Sequence, residues 1–233
     1  QRTLTIGKIK INEQWCPKDL ETKYTQKALV AGSHYEKIPY EKEIFDQKIA
    51  IMHEQLETAD WQGDTASGSN ALKHYDGLLK IIDAASGVVD VASSTINTTN
   101  IRTIIQSIIT GIPASVLGKP DFRMFCGYDT IRTYTNKLAT DNLYHITGKT
   151  NNFEEIEAEN SGIQIVAVHG LDSTNRIIAC RVSNLYLGVD MANEEEKFRA
   201  WYSVDDDVVK FATEFKRGWQ IAFPAEIVAY ANS

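Results

Sequence analysis

The stretch TNIRTIIQSIITGIPASVLGKPDFRMFCGYDTIRTYTNKL, residues 99–138, decides how this chain folds. Ile101, Ile104, Ile105, Ile108 and Ile112 recur at spacings of three and four, which predicts a helix with one buried stripe. Thr98 or Thr99 can cap its start, and Gly111 with Pro113 ends it. Burying each isoleucine is worth about 1.5–3 kcal/mol as an upper estimate, so the helix belongs to a core. A short apolar strand, FRMFC, follows at 122–126. After Gly127, Asp129 can cap a further helix whose inward side chains are Ile131, Tyr134 and Leu138. Helix, strand and helix in this order predict a compact α/β layer.

Toward the N-terminus, residues 1–11 alternate polar and apolar through Leu4, Ile6, Ile9 and Ile11. That is the period of a half-buried strand, with a bulge at Gly7. Residues 15–39 read as an extended excursion holding one short helix around Leu20, Tyr24 and Ala28. Pro39 to Asp60 predicts a long amphipathic helix with a stripe of Phe45, Ile49, Met52 and Leu56, widened by Ile44 and Ile51. The turn-rich WQGDTASGSN and a short amphipathic element, ALKHYDGLLKIID, come next. From Ile163 onward β-branched and aromatic runs dominate, separated by turn chemistry that includes Asp172–Asn175, Asp205–Asp207 and Gly218. Val209, Phe211, Thr213 and Phe215 share one strand face, and Lys210, Glu214 and Lys216 the other. This half predicts an antiparallel meander covered on one face, and the whole chain is of α+β class.

The chain has 233 residues, 43% of them hydrophobic and 24% charged, which is an ordinary globular balance. Its net charge is −7, with the basic residues scattered among acids, so a tight grip on a phosphate backbone is not expected. Cys16, Cys126 and Cys180 lie far apart and form no C-x-x-C pair, against a disulfide framework or a zinc site. No stretch approaches the ~18 apolar residues of a membrane span. Gln1 reads as either a processed end or a fragment edge.

The search for chemistry yields little. Asp205–Asp207 suits a solvated hairpin turn, because it lacks the alternating ligands and closing Glu of a calcium loop. Glu194–Glu196 reads as an exposed strand start. His34, His53, His74, His145 and His169 stand alone, with no helical H-E-x-x-H. Cys126 ends an apolar strand, where an inert buried thiol is the plain expectation. No nucleophile elbow, phosphate loop or dinucleotide fingerprint occurs, and the four tryptophans are too dispersed for a base-stacking platform. No catalytic residue, metal or cofactor is expected.

The order of elements, and several segments within it, resemble a known family. The segments are INEQWCPKDLE (11–21), ETADWQGDTA (57–66), NIRTIIQSIITGIPASVLGKPDFRMFCG through NLYHITG (100–148), and SNLYLGVDMANEEEKFRAWYSVDDDVVKFATEFKRGWQIAFPAEIVAY (183–230). They resemble major capsid proteins of tailed bacteriophages with the Hong Kong 97 fold, most of all those of phages infecting Bacteroidetes, crAss-like ones included.

The resemblance implies an extended loop with an N-terminal strand at 1–37 and a peripheral domain at 38–96 carrying a spine helix. It further implies an axial α/β domain at 97–190 and peripheral-domain return strands at 191–233. It implies an icosahedral shell of many copies, assembled in a bacterial host cytoplasm with scaffold, portal and decoration proteins around DNA held without sequence specificity. Subunit contacts are expected from Trp15, Lys18, Tyr24, Lys27, Tyr35, Glu41 and Lys48, because an excursion with exposed Tyr24 and Tyr35 suits an interface better than a monomer. One rival of the same fold is an encapsulin compartment. Another, of a different class, is a hydrolase pairing Cys126 with His145 or His169.

Overall fold

The computed structural model describes residues 2–15, 40–91, 94–143, 155–159, 161–189, 197–206 and 208–230. Four helices and ten strands are set in it: β1 Gly7–Trp15, α1 Tyr40–Gln62, α2 Leu78–Asp83, β2 Val89–Val91, α3 Ile101–Gly111, β3 Phe122–Cys126 and α4 Tyr128–Thr140. The order continues with β4 Glu155–Glu157, β5 Gln164–Ala167, β6 Ile177–Arg181, β7 Leu185–Val189, β8 Lys197–Ser203, β9 Val208–Ile221 and β10 Val228–Tyr230. The class is α+β, as expected. The expected short helix in the excursion lies outside the described residues.

The helix–strand–helix stretch forms as predicted. Ile101, Ile104, Ile105, Ile108 and Ile112 of α3 are buried, as are Ile131, Tyr134 and Leu138 of α4. Both helices lie on one face of a six-stranded sheet in the order β2-β10-β6-β3-β5-β4. Alternation along its central strands supplies two cores. Ile177 and Ala179 of β6 join the α3–α4 core, while Ile178 and Cys180 join a second core with Trp61, Leu78, Ile82 and Leu171. A strand buried on both faces reads as a continuous apolar run, which is why RIIACR carries no polar alternation.

The helix caps differ from the expectation. At α3 neither Thr98 nor Thr99 caps; the Asn97 side chain accepts from the backbone N–H groups of Thr99 and Asn100. At α4 Asp129 lies inside the first turn, and Asp172, 44 residues away, accepts from the N–H of Tyr128 at 2.6 Å. A carboxylate from a distant loop meets an orphan N–H as well as a local one does. Sequence spacing cannot show it.

The C-terminal half is not a single meander. β5 runs parallel to β3, β10 runs parallel to β2, and β6 and β10 belong to the six-stranded sheet. The remaining strands build a second, four-stranded sheet around β9, with β1 along one edge and β7 and β8 end to end along the other. Gly218 does not separate two strands but lies within β9. A Cβ there would meet the Thr5 carbonyl, because residues 2–6 cross the sheet at this point. The first strand is likewise displaced from the expected 1–11 to Gly7–Trp15. Gly7 is not a bulge; its backbone lies against the carbonyl of His74, leaving no room for a side chain.

The long helix is present, one residue later at its start and two at its end than the apolar pattern predicts. Its stripe is less uniform than expected: Ile51 is exposed, Ile49, Met52 and Leu56 are half-buried, and Ala59, Asp60 and Trp61 are fully packed. The helix is thus seated by its C-terminal end.

Candidate assembly surfaces

The seat of α1 is a buried carboxylate. Asp60 Oδ1 accepts three hydrogen bonds, from Tyr75 Oη at 2.7 Å, Arg217 Nε at 2.8 Å and Trp219 Nε1 at 2.7 Å. Its Oδ2 accepts from Arg217 Nη2 at 2.6 Å. Burial and the adjacent carboxylate push the Tyr75 phenol well above its ordinary value of 10. Arg217 and Trp219 continue the odd-numbered face of Val209 to Phe215 along β9, so one strand face delivers both donors to the helix.

A second contact joins α1 to the 3-10 turn at His169–Leu171. Glu57 accepts from the N–H of His169 at 2.7 Å, and Gln62 donates to the carbonyl of Gly170 at 2.8 Å. Gly170 leaves no space for a Cβ, which would strike the Trp61 ring and the Glu57 carbonyl. The His169 ring stacks on Tyr128 at a centroid separation of 4.2 Å, and its Nδ1 lies 2.9 Å from Asp172 Oδ2. That hydrogen bond, with the nearby Glu57 and Glu54, raises His169 above its ordinary 6.5. A raised histidine contributes stability that is present below its unfolded pKa and lost as pH climbs through the folded value. An NMR titration of His169 across about pH 5–8, where imidazole changes charge, is expected to give a midpoint above that of an unperturbed histidine. Asp172→Asn should return the midpoint toward normal; an unchanged midpoint would assign the shift to another group.

The four-stranded sheet has two unlike faces. The odd-numbered face of β1 and β9 (Ile9, Ile11, Glu13, Phe211, Thr213, Phe215) lies under α1, where Lys48 pairs with Glu13 at 2.6 Å. The even-numbered face carries Lys8, Lys10, Lys210 and Lys216, joined by Arg199 and Trp201 from β8. Residues 2–6 cover only its far end, at Gly188, Gly218 and Gln220. An open groove of about 680 Å³ remains, lined by Lys10, Asn12, Gln14, Arg199, Trp201 and Lys210.

Of the residues expected at subunit contacts, Lys48 forms the ion pair with Glu13 inside the chain. Trp15 ends β1 opposite Val209, and Glu41 lies in the first turn of α1; their side chains fall outside what is described. Lys18, Tyr24, Lys27 and Tyr35 lie outside the described residues. Asp60, Arg217 and Trp219 were not anticipated, although a lone Asp beside Trp61 at the end of an apolar stripe is a usable signal.

The geometry of the thiols is opposite to that of a nucleophile. Cys126 and Cys180 are buried, and burial pushes the Cys126 thiol far up and that of Cys180 up to about 12. Thiol titration of the folded protein near neutral pH is expected to leave both unmodified, and denaturant to expose both. Modification of Cys126 in the folded state would restore the hydrolase reading. Asp206 lies in the β8–β9 turn as expected, bonded to Ser203 and Lys210. Among the described residues no three His, Cys, Asp or Glu side chains are placed to hold a metal ion, and no helix is long and apolar enough to cross a membrane.

No family model and no curated protein matches the sequence. Solved structures do match over nearly the whole chain. A subunit of the satellite phage P4 procapsid with its size determination protein superposes with a TM-score of 0.64 at 10% identity, covering 98% of this chain and 71% of that one. The holo-SrpI encapsulin complex from Synechococcus elongatus PCC 7942 gives 0.59 at 10% identity, covering 98% and 73%. The capsid of Myoviridae phage XM1 gives 0.56 at 11% identity, covering 99% and 74%. With α1 seated against the four-stranded sheet and α3 and α4 on the six-stranded one, this chain has the Hong Kong 97 fold.

Proposed function

We propose that this chain is the major capsid protein of a tailed bacteriophage, a structural subunit that forms an icosahedral shell around double-stranded DNA. The observation that carries the reading is a match to shell subunits that spans 98% of the chain, rather than one domain of it. Identity near 10% carries the fold alone, so the step from fold to shell rests on the surfaces. Closed rings need heterologous contacts, in which one patch of a subunit meets a different patch of the next. The two-faced sheet and the groove on its open side fit that need.

On this reading residues 1–37 reach over a neighbour, 38–96 and 191–233 form the peripheral domain, and 97–190 surround the ring axes. Trp15, Lys18, Tyr24, Lys27, Tyr35, Glu41 and Lys48 supply contacts. Scaffold and portal proteins assist assembly in the host cytoplasm, and decoration proteins add to the virion. The segments at 11–21, 57–66, 100–148 and 183–230 are the basis for reading the host as a member of the Bacteroidetes.

The test is negative-stain electron microscopy of the protein expressed alone and with its scaffold and portal. Icosahedral particles or capsomer rings are the expected result, and a monomer under both conditions would refute it. An encapsulin compartment remains the second reading because the SrpI complex is among the matches. Uniform shells from this gene alone that retain an enzyme cargo would favour it.

A further inference from the structure

The open face of the four-stranded sheet is out of character with the chain. Lys8, Lys10, Arg199, Lys210 and Lys216 share it with two carboxylates, Glu214 and Asp206. Among the described side chains cations outnumber carboxylates on this face, in a chain whose net charge is −7. Lys8, Lys10 and Arg199 are exposed, Lys8 at 66% and Lys10 at 55% of the side chain, Lys210 and Lys216 are half-buried, and Trp201 beside them is 47% exposed. Glu214 pairs with Lys10 at 2.9 Å and with Lys8 at 3.9 Å, and these cations hold it below the ordinary carboxylate range. Exposed pairs of this kind contribute little to folding, so the ladder is not accounted for by the stability of the subunit.

We infer that this face is an interface that receives the acidic surface of a second copy of the chain. The inference rests on the shell reading above and deepens it by naming one contact and its chemistry. The charge argument selects the occupant: every neighbouring copy carries a net charge of −7, and opposite potentials steer and register such contacts. Trp201 supplies what exposed lysines do not, a large rigid side chain of the kind that anchors interfaces. A nucleic acid fits less well. Glu214, paired with Lys10 and Lys8, interrupts the row of cations that a regularly charged phosphate strand would need, whereas the carboxylates and lysines of a folded surface can be arranged around it. α1 closes the opposite face of the sheet, so this is the side left for a neighbour.

The experiment compares the full chain with Lys8→Gln/Lys10→Gln/Arg199→Gln and with Glu214→Gln, following shell formation by light scattering and electron microscopy. The triple variant is expected to need about tenfold more protein to assemble, and added salt should weaken the wild type in the same direction. Glu214→Gln, which makes the face more positive, is expected to assemble at lower concentration. Unchanged melting of the unassembled subunits excludes misfolding as the cause, and the opposite signs of the two variants cannot both arise from damage. Equal assembly of all three would overturn the interface while leaving the shell reading intact. A wild type that forms no shell with its scaffold and portal would overturn both. A duplex-DNA gel shift lost in the triple variant, with assembly unchanged, would overturn it in favour of a nucleic-acid partner.

Discussion

Asp60→Ala is expected to destabilise the folded subunit by about 3 kcal/mol, the lower end of what breaking a buried hydrogen-bonded pair costs. The carboxylate is 7% exposed and accepts from Tyr75, Arg217 and Trp219, so its removal strands four donor groups on three residues at once. The lower end applies because the Arg217 side chain is 26% exposed and can turn partly to water. For a domain of this length that corresponds to a fall in melting temperature of about 6–12 °C. Asp60→Asn is the informative companion. Its remaining carbonyl oxygen can still accept, but its NH2 group faces the guanidinium, so a loss intermediate between wild type and Ala is expected. The effect should concentrate where α1 meets β9, visible as faster hydrogen exchange at the C-terminal end of α1 with the α3–α4 core unaffected. Equal exchange throughout would show that this group is not the seat of the helix.

Ile108→Ala should cost about 2–5 kcal/mol, the range for deleting a buried branched side chain where neighbours cannot collapse. Ile108 is 0% exposed on the inner face of α3, surrounded by a core that takes side chains from α4, β3, β6 and β10. A cavity bounded by a sheet and a second helix relaxes poorly, which favours the upper half of the range. Ile108→Val keeps most of the volume and should cost only about 0.5–1.5 kcal/mol. Urea denaturation is the measurement: the midpoint should fall in this order while the slope stays constant, since the area exposed on unfolding barely changes. A midpoint unmoved in Ile108→Ala would mean that α3 is not packed on the six-stranded sheet.

What could be read locally was read well, and the errors have a common origin. The isoleucine stripe of α3, the inward residues of α4 and the strand FRMFC follow from periods of 3.6 and 2.0, which a short stretch displays by itself. The division of β9 into an apolar and a charged face was likewise visible in the alternation of Val209 to Lys216. The buried seat was not, because Asp60 and Arg217 are 157 residues apart and neither spacing nor composition links them. The basic face escaped for the same reason: its cations come from three strands and look scattered until β1 and β8 flank β9.

The sequence by itself determined the class, the helices and most strand locations, because side-chain periodicity is written residue by residue. Only the tertiary structure decided which strands pair. That choice separated β6 and β10 from β7 and β9 and set β5 parallel to β3. It also turned Gly7 and Gly218 from presumed breaks into points of close backbone approach. Pairing depends on which distant segments can bury each other's apolar faces while satisfying every backbone group, and that condition is met by the whole chain at once.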